Sequence, residues 1–392
     1  MPWNRESPMD QRIKLIGDWL QGSYSKSELA RHYGLSRPTL DKWLARYEAQ
    51  GIDGLKELSR RPHTSPFKIS DEVLELLVAY KREHHSWGPE KLVHNLKIDH
   101  PELSWPTVST AGEWLKRAGL VQKRRFLNRP PAGKNPLRDA TAPNQTWAAD
   151  FKGDFALQNG QRCYPLTITD HVSRFLLLCR AQSSVAGARE GFDWAFREYG
   201  LPNVIRTDNG SPFASTGISR ISSLAAWWIR LGIYPERIQP GRPDQNGRHE
   251  RMHRTLKAAL LHAPERNLVE QQLAFEQFRQ EFNYVRPHKA LEMKVPADLY
   301  KPSPRQYDGR VPEADYASDM TIRMVRQNGS MKWKGKMIFV SESLAGEALG
   351  LKEVDDDVWD IYLCNYLLGR LKSGESRLSS QQKRKGCPRF QS

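Results

Sequence analysis

The spacing of hydrophobic and polar positions changes character several times along the chain. Between residues 11 and 49 it is helical. Ile13, Leu15, Ile16, Trp19 and Leu20 recur at helical intervals, and Leu29 and Ala30 belong to a short second helix predicted over Ser27–Tyr33. Gly34-Leu35-Ser36 makes a turn, and Ser36 caps a third helix, Arg37–Gln50, with Pro38 in its first turn. That helix turns Leu40, Trp43, Leu44 and Tyr47 inward and offers Arg37, Thr39, Lys42 and Arg46 outward. The layout is that of a helix-turn-helix, whose second helix enters the DNA major groove. The Ala30–Ser36 spacing favours it over a plain three-helix bundle with a solvated charged face.

Gly51–Pro66 reads as a connector containing Ser59-Arg60-Arg61-Pro62, and a second helical block spans Asp71–Leu120. Val73, Leu74, Leu76, Leu77 and Tyr80 mark one helix, Trp87-Gly88-Pro89 opens another, and Thr107–Ala118 forms a third around Val108, Trp114 and Leu115. This block is a second helix-turn-helix or a dimerising bundle. From Gly119 to Arg138 the bases are Lys123, Arg124, Arg125, Arg129, Lys134 and Arg138, with no acid among them, and Pro130, Pro131 and Pro136 keep the segment extended. Such a strap neutralises phosphates along a duplex, or serves as an ordinary solvated linker.

From residue 145 to 290 the rhythm shortens. Trp147–Phe151, Cys163–Thr169 and Arg174–Arg180 read as strands, Ser184–Tyr199 as a helix, and Val204–Thr207 as a short buried strand ending at Asp208-Asn209-Gly210. Helices follow at Leu224–Leu231, Gln245–His262 and Leu268–Tyr284, which predicts an α/β layer with helices on both faces. Thr321–Arg326, Met331–Lys334, Met337–Val340, Asp357–Leu363 and Tyr366–Leu371 are short strands, for which a small β-barrel is the natural closure. The expected division is a helix-turn-helix domain (1–58), a second helical domain (67–120), a basic linker (121–144), an α/β core (145–300), the barrel (310–372) and a basic, disordered tail (373–392).

Composition narrows the class. The chain has 392 residues, 12 Trp, 13 Phe and 13 Tyr, enough for real cores. No apolar run reaches the roughly 18 residues of a membrane span, and Arg5, Glu6, Asp10, Arg12, Lys14 and Asp18 interrupt the start, so neither a span nor a secretory signal is expected. Four scattered cysteines form no C-x-x-C pair, which speaks against a disulfide scaffold and for a reducing compartment. Sixty Lys and Arg against 45 Asp and Glu leave a net charge of +15 and suggest a polyanionic partner, most often nucleic acid.

Within this basic protein three acids stand out. Asp150 sits in an apolar strand, where a carboxylate is costly without a cation. Asp208 ends a second strand, where α/β sheets place functional side chains. Glu250 lies in the first turn of a helix announced by Pro243-Asp244-Gln245-Asn246-Gly247. Carboxylate oxygens suit Mg²⁺ or Mn²⁺, and a pair of such ions supports phosphoryl transfer. Taken singly, Asp208 is also a turn residue before Asn-Gly, and Glu250 a partner for Arg254. Asp154, Asp170 and Asp244 rank below the trio: the first follows a glycine, the second ends a strand at a turn, the third sits in a loop.

Trp147-Ala148-Ala149-Asp150-Phe151, Thr207-Asp208-Asn209-Gly210-Ser211-Pro212-Phe213, the run Gln245–Lys257 and Phe282-Asn283-Tyr284-Val285-Arg286-Pro287-His288-Lys289-Ala290-Leu291 resemble, in order, the motifs of bacterial insertion-sequence transposases of the DDE superfamily, which share a retroviral-integrase-like core. The resemblance implies a ribonuclease H-like fold in which Asp150, Asp208 and Glu250 are catalytic and bind two Mg²⁺ (or Mn²⁺) ions. It implies cutting at the element's ends and strand transfer of the freed 3′-hydroxyl into target DNA, without ATP. The implied partners are double-stranded DNA (terminal inverted repeats and target) and further copies of the chain, a homodimer or higher oligomer, with no membrane. The implied setting is the bacterial cytoplasm, at the nucleoid when acting. On the Glu250 helix, Arg254 and Lys257 follow at i+4 and i+7, placed to hold phosphates of the scissile strand. Two departures stand out. Forty-one residues separate Asp208 from Glu250, longer than usual, with the excess around Gly217–Ala226, and the zinc domain of retroviral integrases is missing.

The alternatives are a DNA-binding regulator with a silent core and a structure-specific nuclease on the same fold. Deleting residues 1–60 is expected to abolish sequence-specific binding of element-end DNA while leaving metal-dependent nicking of generic DNA. Gel-shift and plasmid-nicking assays on the two proteins check this, and end binding that survives the deletion makes the second helical block the reader.

Overall fold

The computed structural model describes residues 7–58, 70–121, 137, 139–215, 220–260 and 263–379. The Ser59–Pro62 linker, most of the basic strap with Lys123, Arg124 and Arg125, and the tail from residue 380 lie outside them. The chain divides into two compact units, Met1–Lys68 and Ile69–Ser392.

The first unit is three helices, α1 (Pro8–Leu20), α2 (Lys26–His32) and α3 (Arg37–Gln50), each started by a serine. Ser7, Ser25 and Ser36 accept from the backbone N–H three residues on, which satisfies a donor the helix cannot. Gly34 at φ 63° makes the turn between α2 and α3. Leu15, Ile16, Leu29, Ala30, Leu40, Trp43 and Leu44 form the core, closed by Leu55. Ile13 and Leu20 are 43% and 60% exposed rather than core, because one narrow stripe of α1 is covered.

In the second unit α4 (Asp71–Glu83), α5 (Pro89–Asp99) and α6 (Val108–Arg117) pack around Leu77, Trp87, Leu92, Leu96 and Leu115. The sheet that follows has β1 (Thr146–Phe151), β4 (Leu166–Asp170) and β5 (Leu176–Arg180) antiparallel, and β6 (Val204–Thr207) and β7 (Tyr234–Arg237) parallel, in the order β5-β4-β1-β6-β7. A small hairpin, β2 (Phe155–Ala156) with β3 (Arg162–Cys163), leads into β4. On one face α7 (Ala188–Tyr199) and α8 (Ser223–Arg230) cover Trp147, Ala149 and Ile205. On the other, α9 (Gly247–Leu260) and α10 (Leu268–Gln280) pack on Leu176 and Cys179. Period-two alternation along β1 therefore puts Ala148 and Asp150 on the α9 face.

Strand β7 has no sequence signal, since proline and charge mark its residues. Its Glu236 is opposite Arg206 of β6, and the two form a buried ion pair at 2.7 Å, which makes a charged strand tolerable. The described part of Gly217–Ala226, where the extra spacing between Asp208 and Glu250 falls, is core: Ile221, Leu224, Ala225 and Ala226 are buried, and α8 begins at Ser223.

The outer edge of β5 is covered by side-chain amides rather than by a strand. Asn283 accepts from Leu176 N–H at 2.8 Å and donates to its carbonyl at 3.0 Å, and Gln272 accepts from Ala181 N–H and donates to Cys179 C=O. Both imitate a neighbouring strand, and they dock α10 and the π-turn Glu281–Val285. The same turn receives the α4–α6 block: His84 meets Glu281 at 3.2 Å, and Asn95 donates to the Val285 carbonyl.

After α11 (Pro296–Leu299) come β8 (Thr321–Met324), β9 (Ser330–Trp333), β10 (Lys336–Phe339), β11 (Ala348–Asp355), β12 (Val358–Leu363) and β13 (Tyr366–Lys372). They make an open four-stranded sheet, β13-β12-β11-β8, and a separate β9–β10 hairpin, so no closed barrel is found among the described residues. The hairpin pairs only with itself in ladders, and β8 is exposed along its length. Strand β11 has no clear signature because Gly350 interrupts it; a Cβ there would clash with the Tyr316 ring. Residues 373–379, expected in the disordered tail, bridge both sheets and bury Leu378.

Asn283→Ala is expected to lower the unfolding free energy of the second unit by about 2–4 kcal/mol, since it strands a buried N–H and C=O on Leu176. Urea denaturation checks it, and a loss below about 1 kcal/mol would show that the edge is held otherwise.

Candidate active site

Three elements deliver the expected carboxylates. Asp150 is near the end of β1, Asp208 directly follows β6, and Glu250 lies in the first turn of α9. The Asp208 loop is shaped by its own motif. Gly210 N–H donates to Asp208 Oδ1 at 3.0 Å, and Asn209 Nδ2 donates to the Ile238 carbonyl at 2.8 Å, beyond the end of β7. Phe213, buried near Phe151, Phe192 and Trp228, anchors the far end of the loop in the core. Pro243–Asn246 is a 3₁₀ turn leading into α9, and Gln245 accepts from Gln239 N–H at 2.7 Å, which fixes where the helix starts.

Beneath Glu250 the helix is tied to the sheet by residues without a role in the expected site. Thr167 donates its hydroxyl hydrogen to the Asp150 carbonyl at 3.0 Å and lies 2.8 and 2.7 Å from His249 Nε2 and His253 Nε2. A hydroxyl has one hydrogen, so both Nε2 atoms are N–H donors to it. His249 Nδ1 then accepts from Thr169 at 2.8 Å, and His253 Nδ1 is left as a lone pair 3.7 Å from Asp150 Oδ2. That last contact is no ion pair: burial, with His249 adjacent, keeps His253 neutral well below the usual imidazole range, and burial brings His249 to about 3. The signal for this pair was present as two histidines four apart among Met252 and Leu256 on the inward face of α9.

Burial, with the Asp208 charge next and Glu250 behind it, pushes the Asp150 carboxyl up to about 7. Asp208 and Glu250 thus both lie within electrostatic reach of Asp150. Among the described residues no group of three side chains is closed tightly enough to hold an ion by itself. Their chemistry, three oxygen donors and no thiolate, fits a hard divalent cation such as Mg²⁺ or Mn²⁺. The competing acids have other partners. Asp154 pairs with Arg162, and Asp244 with Arg242 at 2.8 Å. Asp170 accepts from Asn144, Val172 and Ser173.

Of the expected DNA-contacting residues, Arg37 and Lys42 are exposed on α3. Thr39 shares a 2.8 Å contact with the Ser36 hydroxyl, and Arg46 donates to the Lys56 carbonyl at 2.7 Å and lies over the Trp43 ring, so both also hold the local fold. Arg254 and Lys257 are exposed on α9, on the Glu250 side. Lys123, Arg124 and Arg125 lie outside the described residues.

The Asp150 carboxyl titrates near 3.8 when unfolded and about 7 when folded. The folded state therefore holds the proton across that interval, and this contribution to stability is complete below about pH 3.8 and lost as pH rises through about 7. Asp150→Asn is expected to stabilise the metal-free protein by roughly 2–4 kcal/mol at pH 8 and to converge with wild type near pH 4. Denaturation midpoints across that range check it, and a pH-independent difference overturns it.

Residues 140–243 match an integrase core domain family and residues 231–296 a second integrase core domain family. Residues 11–63 match a helix-turn-helix domain, and residues 39–115 a homeodomain-like domain. The chain is 26% identical over 284 residues to an insertion element IS476 uncharacterized 39.2 kDa protein of Xanthomonas euvesicatoria, covering 72% of this chain and 79% of that one. It is 29% identical over 188 residues to an insertion element IS407 uncharacterized 31.7 kDa protein of Burkholderia multivorans, covering 47% and 65%. Among solved structures it is similar to the HTLV-2 integrase catalytic core domain in complex with magnesium, at 17% identity and a TM-score of 0.33, over 42% of this chain and 100% of that one. The sequence motifs, the matched integrase core and the insertion-element relatives agree: the chain belongs to the insertion-sequence transposases of the DDE superfamily, with helix-turn-helix DNA-binding elements ahead of an integrase-like catalytic core.

Proposed function

We propose that this transposase cuts DNA at the ends of its own element and joins the freed 3′-hydroxyls to target DNA, with Asp150, Asp208 and Glu250 as the catalytic, metal-holding residues. The observation that carries this is the convergence of three carboxylates from β1, the β6 end and α9, close enough that Asp208 and Glu250 act on the Asp150 proton. Two divalent cations, Mg²⁺ or Mn²⁺, would supply activation of the attacking oxygen and relief of charge on the leaving one.

The chain's own part is positioning. His249 and His253 seat α9 on Thr167 and Thr169, which holds Glu250 at the end of β1 where Asp150 lies. Neutral imidazoles add no positive charge there, so the carboxylates keep their full demand for a cation. Arg254 and Lys257, exposed beside Glu250, hold the scissile strand by its phosphates. Water cuts first and leaves a 3′-hydroxyl. That hydroxyl then attacks a target phosphodiester in line, and one phosphodiester replaces another, so no ATP is consumed.

Arg37, Thr39, Lys42 and Arg46 would read the terminal repeats, with Lys123, Arg124 and Arg125 following the duplex backbone. An element has two ends and each chain one triad, so the working assembly is at least a dimer on the DNA, at the bacterial nucleoid. The domain division 1–58, 67–120, 121–144, 145–300 and 310–372 follows these roles. For the last, the isolated bridges Phe339–Arg377 and Arg370–Ser379 support a small barrel completed by residues 376–379.

Asp208→Asn is expected to lower strand transfer of labelled element-end DNA in Mg²⁺ by about 100-fold or more, with end binding retained. Activity in neither protein favours a DNA-binding regulator, and cutting without joining in the wild type favours a nuclease.

A further inference from the structure

Across α9 from Glu250, a cavity of about 220 Å³ lies where the sheet, α9, α5 and the Arg286–Ala290 segment meet. At 100° per residue, Arg248, Arg251 and Thr255 fall on this flank, away from Glu250, Arg254 and Lys257. Its walls carry Lys91, Arg174, Arg248, Arg251, Arg286 and Lys289. Arg248, Arg251 and Lys289 are exposed at the mouth, and Lys91, Arg174 and Arg286 are partly buried behind them.

The acids nearby are fewer than the cations of this set. Asp170 lines the cavity, but its carboxylate accepts from Asn144, Val172 and Ser173. Glu90 pairs with Lys289 at 3.0 Å and also acts on Lys91, Glu281 meets His84 and acts on Lys91 and Arg286, and Asp139 and Asp170 act on Arg248, so these four acids offset the six cations only in part. Arg286 donates to the Ser86 hydroxyl, Arg248 to the His171 carbonyl and Lys91 to the Pro287 carbonyl, so these cations are held in place by neutral groups. Three buried nitrogens at the cavity, Arg174 Nε, His171 Nδ1 and His288 Nε2, have no hydrogen-bond partner. Orphaned polar atoms of this kind in a native fold call for a missing ligand or water. Burial, and for Lys91 the neighbouring Arg286, depresses the lysine to about 7 and Arg174 and Arg286 to about 10, a strain that a bound anion reverses.

Four guanidiniums match the tetrahedral oxygens of a phosphate better than a single carboxylate. The volume, about 220 Å³, has room for a phosphate group and several waters. We propose that this cavity is a second anion site, which seats a backbone phosphate of DNA on the flank of α9 opposite the carboxylates. Taking DNA as the source of the phosphate rests on the proposed function; the anion site itself does not. The site gives the Arg286-Pro287-His288-Lys289 motif a role: it closes the cavity and supplies two of its cations.

The test uses the full chain. Duplex binding is followed by fluorescence anisotropy from about 50 to 200 mM salt for wild type, Arg251→Gln, Arg251→Lys and Arg174→Gln/Arg251→Gln. Arg251 is exposed, so the single glutamine variant is expected to fold, and thermal melts verify it. Arg251→Gln is expected to weaken binding several-fold at low salt and to make the slope of log K against log salt shallower by about 0.9. Arg251→Lys is expected to keep the slope, and the double variant to fall further. Unmoved affinity and slope in both glutamine variants overturn the proposal. Inorganic phosphate that raises the wild-type melting temperature but not that of Arg251→Gln, with an unmoved DNA slope, assigns the cavity to a small phosphorylated molecule and overturns the DNA assignment. None of these readouts needs cleavage. A wild type without strand transfer but with the expected slope change loses the proposed function and keeps the site; full strand transfer with an unmoved slope does the reverse.

Discussion

The hydroxyl of Thr167 is the point on which the candidate site depends. It has one hydrogen, which goes to the Asp150 carbonyl, and two lone pairs, which receive His249 and His253. Through that one atom, strand β1, strand β4 and helix α9 are held in a fixed relation, and Glu250 comes to lie beside Asp150. Because both histidines are buried and neutral, the arrangement adds hydrogen bonds without adding counter-charge. Asp150 is thus held, largely buried, within reach of the Asp208 and Glu250 charges, and its carboxyl is raised by that burial and by those charges.

The same economy of polar groups governs the sheet edge. A five-stranded sheet leaves β5 with unpaired backbone groups, and Asn283 and Gln272 satisfy them from α10 and the turn after it. Since that turn also receives α4–α6, the second helical block is coupled through it to the sheet that carries Asp150. The motif at Phe282–Leu291 is therefore structural along its first half and cationic along its second.

Positive charge in this protein is distributed with purpose around α9. One flank presents Glu250 with Arg254 and Lys257, and the other faces the cavity with Arg248 and Arg251. A helix with acid and cations on one side and cations alone on the other is suited to lie between two stretches of a polyanion. The buried Arg206–Glu236 pair shows the contrasting use of charge, where each partner neutralises the other across adjacent strands.

Much of this organisation was legible in the chain itself. Period-two and helical spacings located the helices and most strands, Ser36 announced the start of α3, and four ordered motifs identified the family, because each depends on local contacts within a few residues. Strands β7 and β11 were not legible, since Pro235 with Glu236 and Gly350 are tolerated only through partners distant in sequence, Arg206 and Tyr316. Whether the last strands close was not legible for a similar reason: closure is decided by which edges meet, and periodicity carries no information about edges. The candidate triad was named from residue type and position, but its electrostatics came from folding. Residues 150, 208 and 250 become neighbours only when β1, β6 and α9 pack, and only then does burial make one carboxylate sensitive to the other two. The sequence determined which groups are available, and the tertiary structure decided which of them come within reach of one another and which is buried, because the strength of a charge interaction depends on distance and local dielectric rather than on order along the chain.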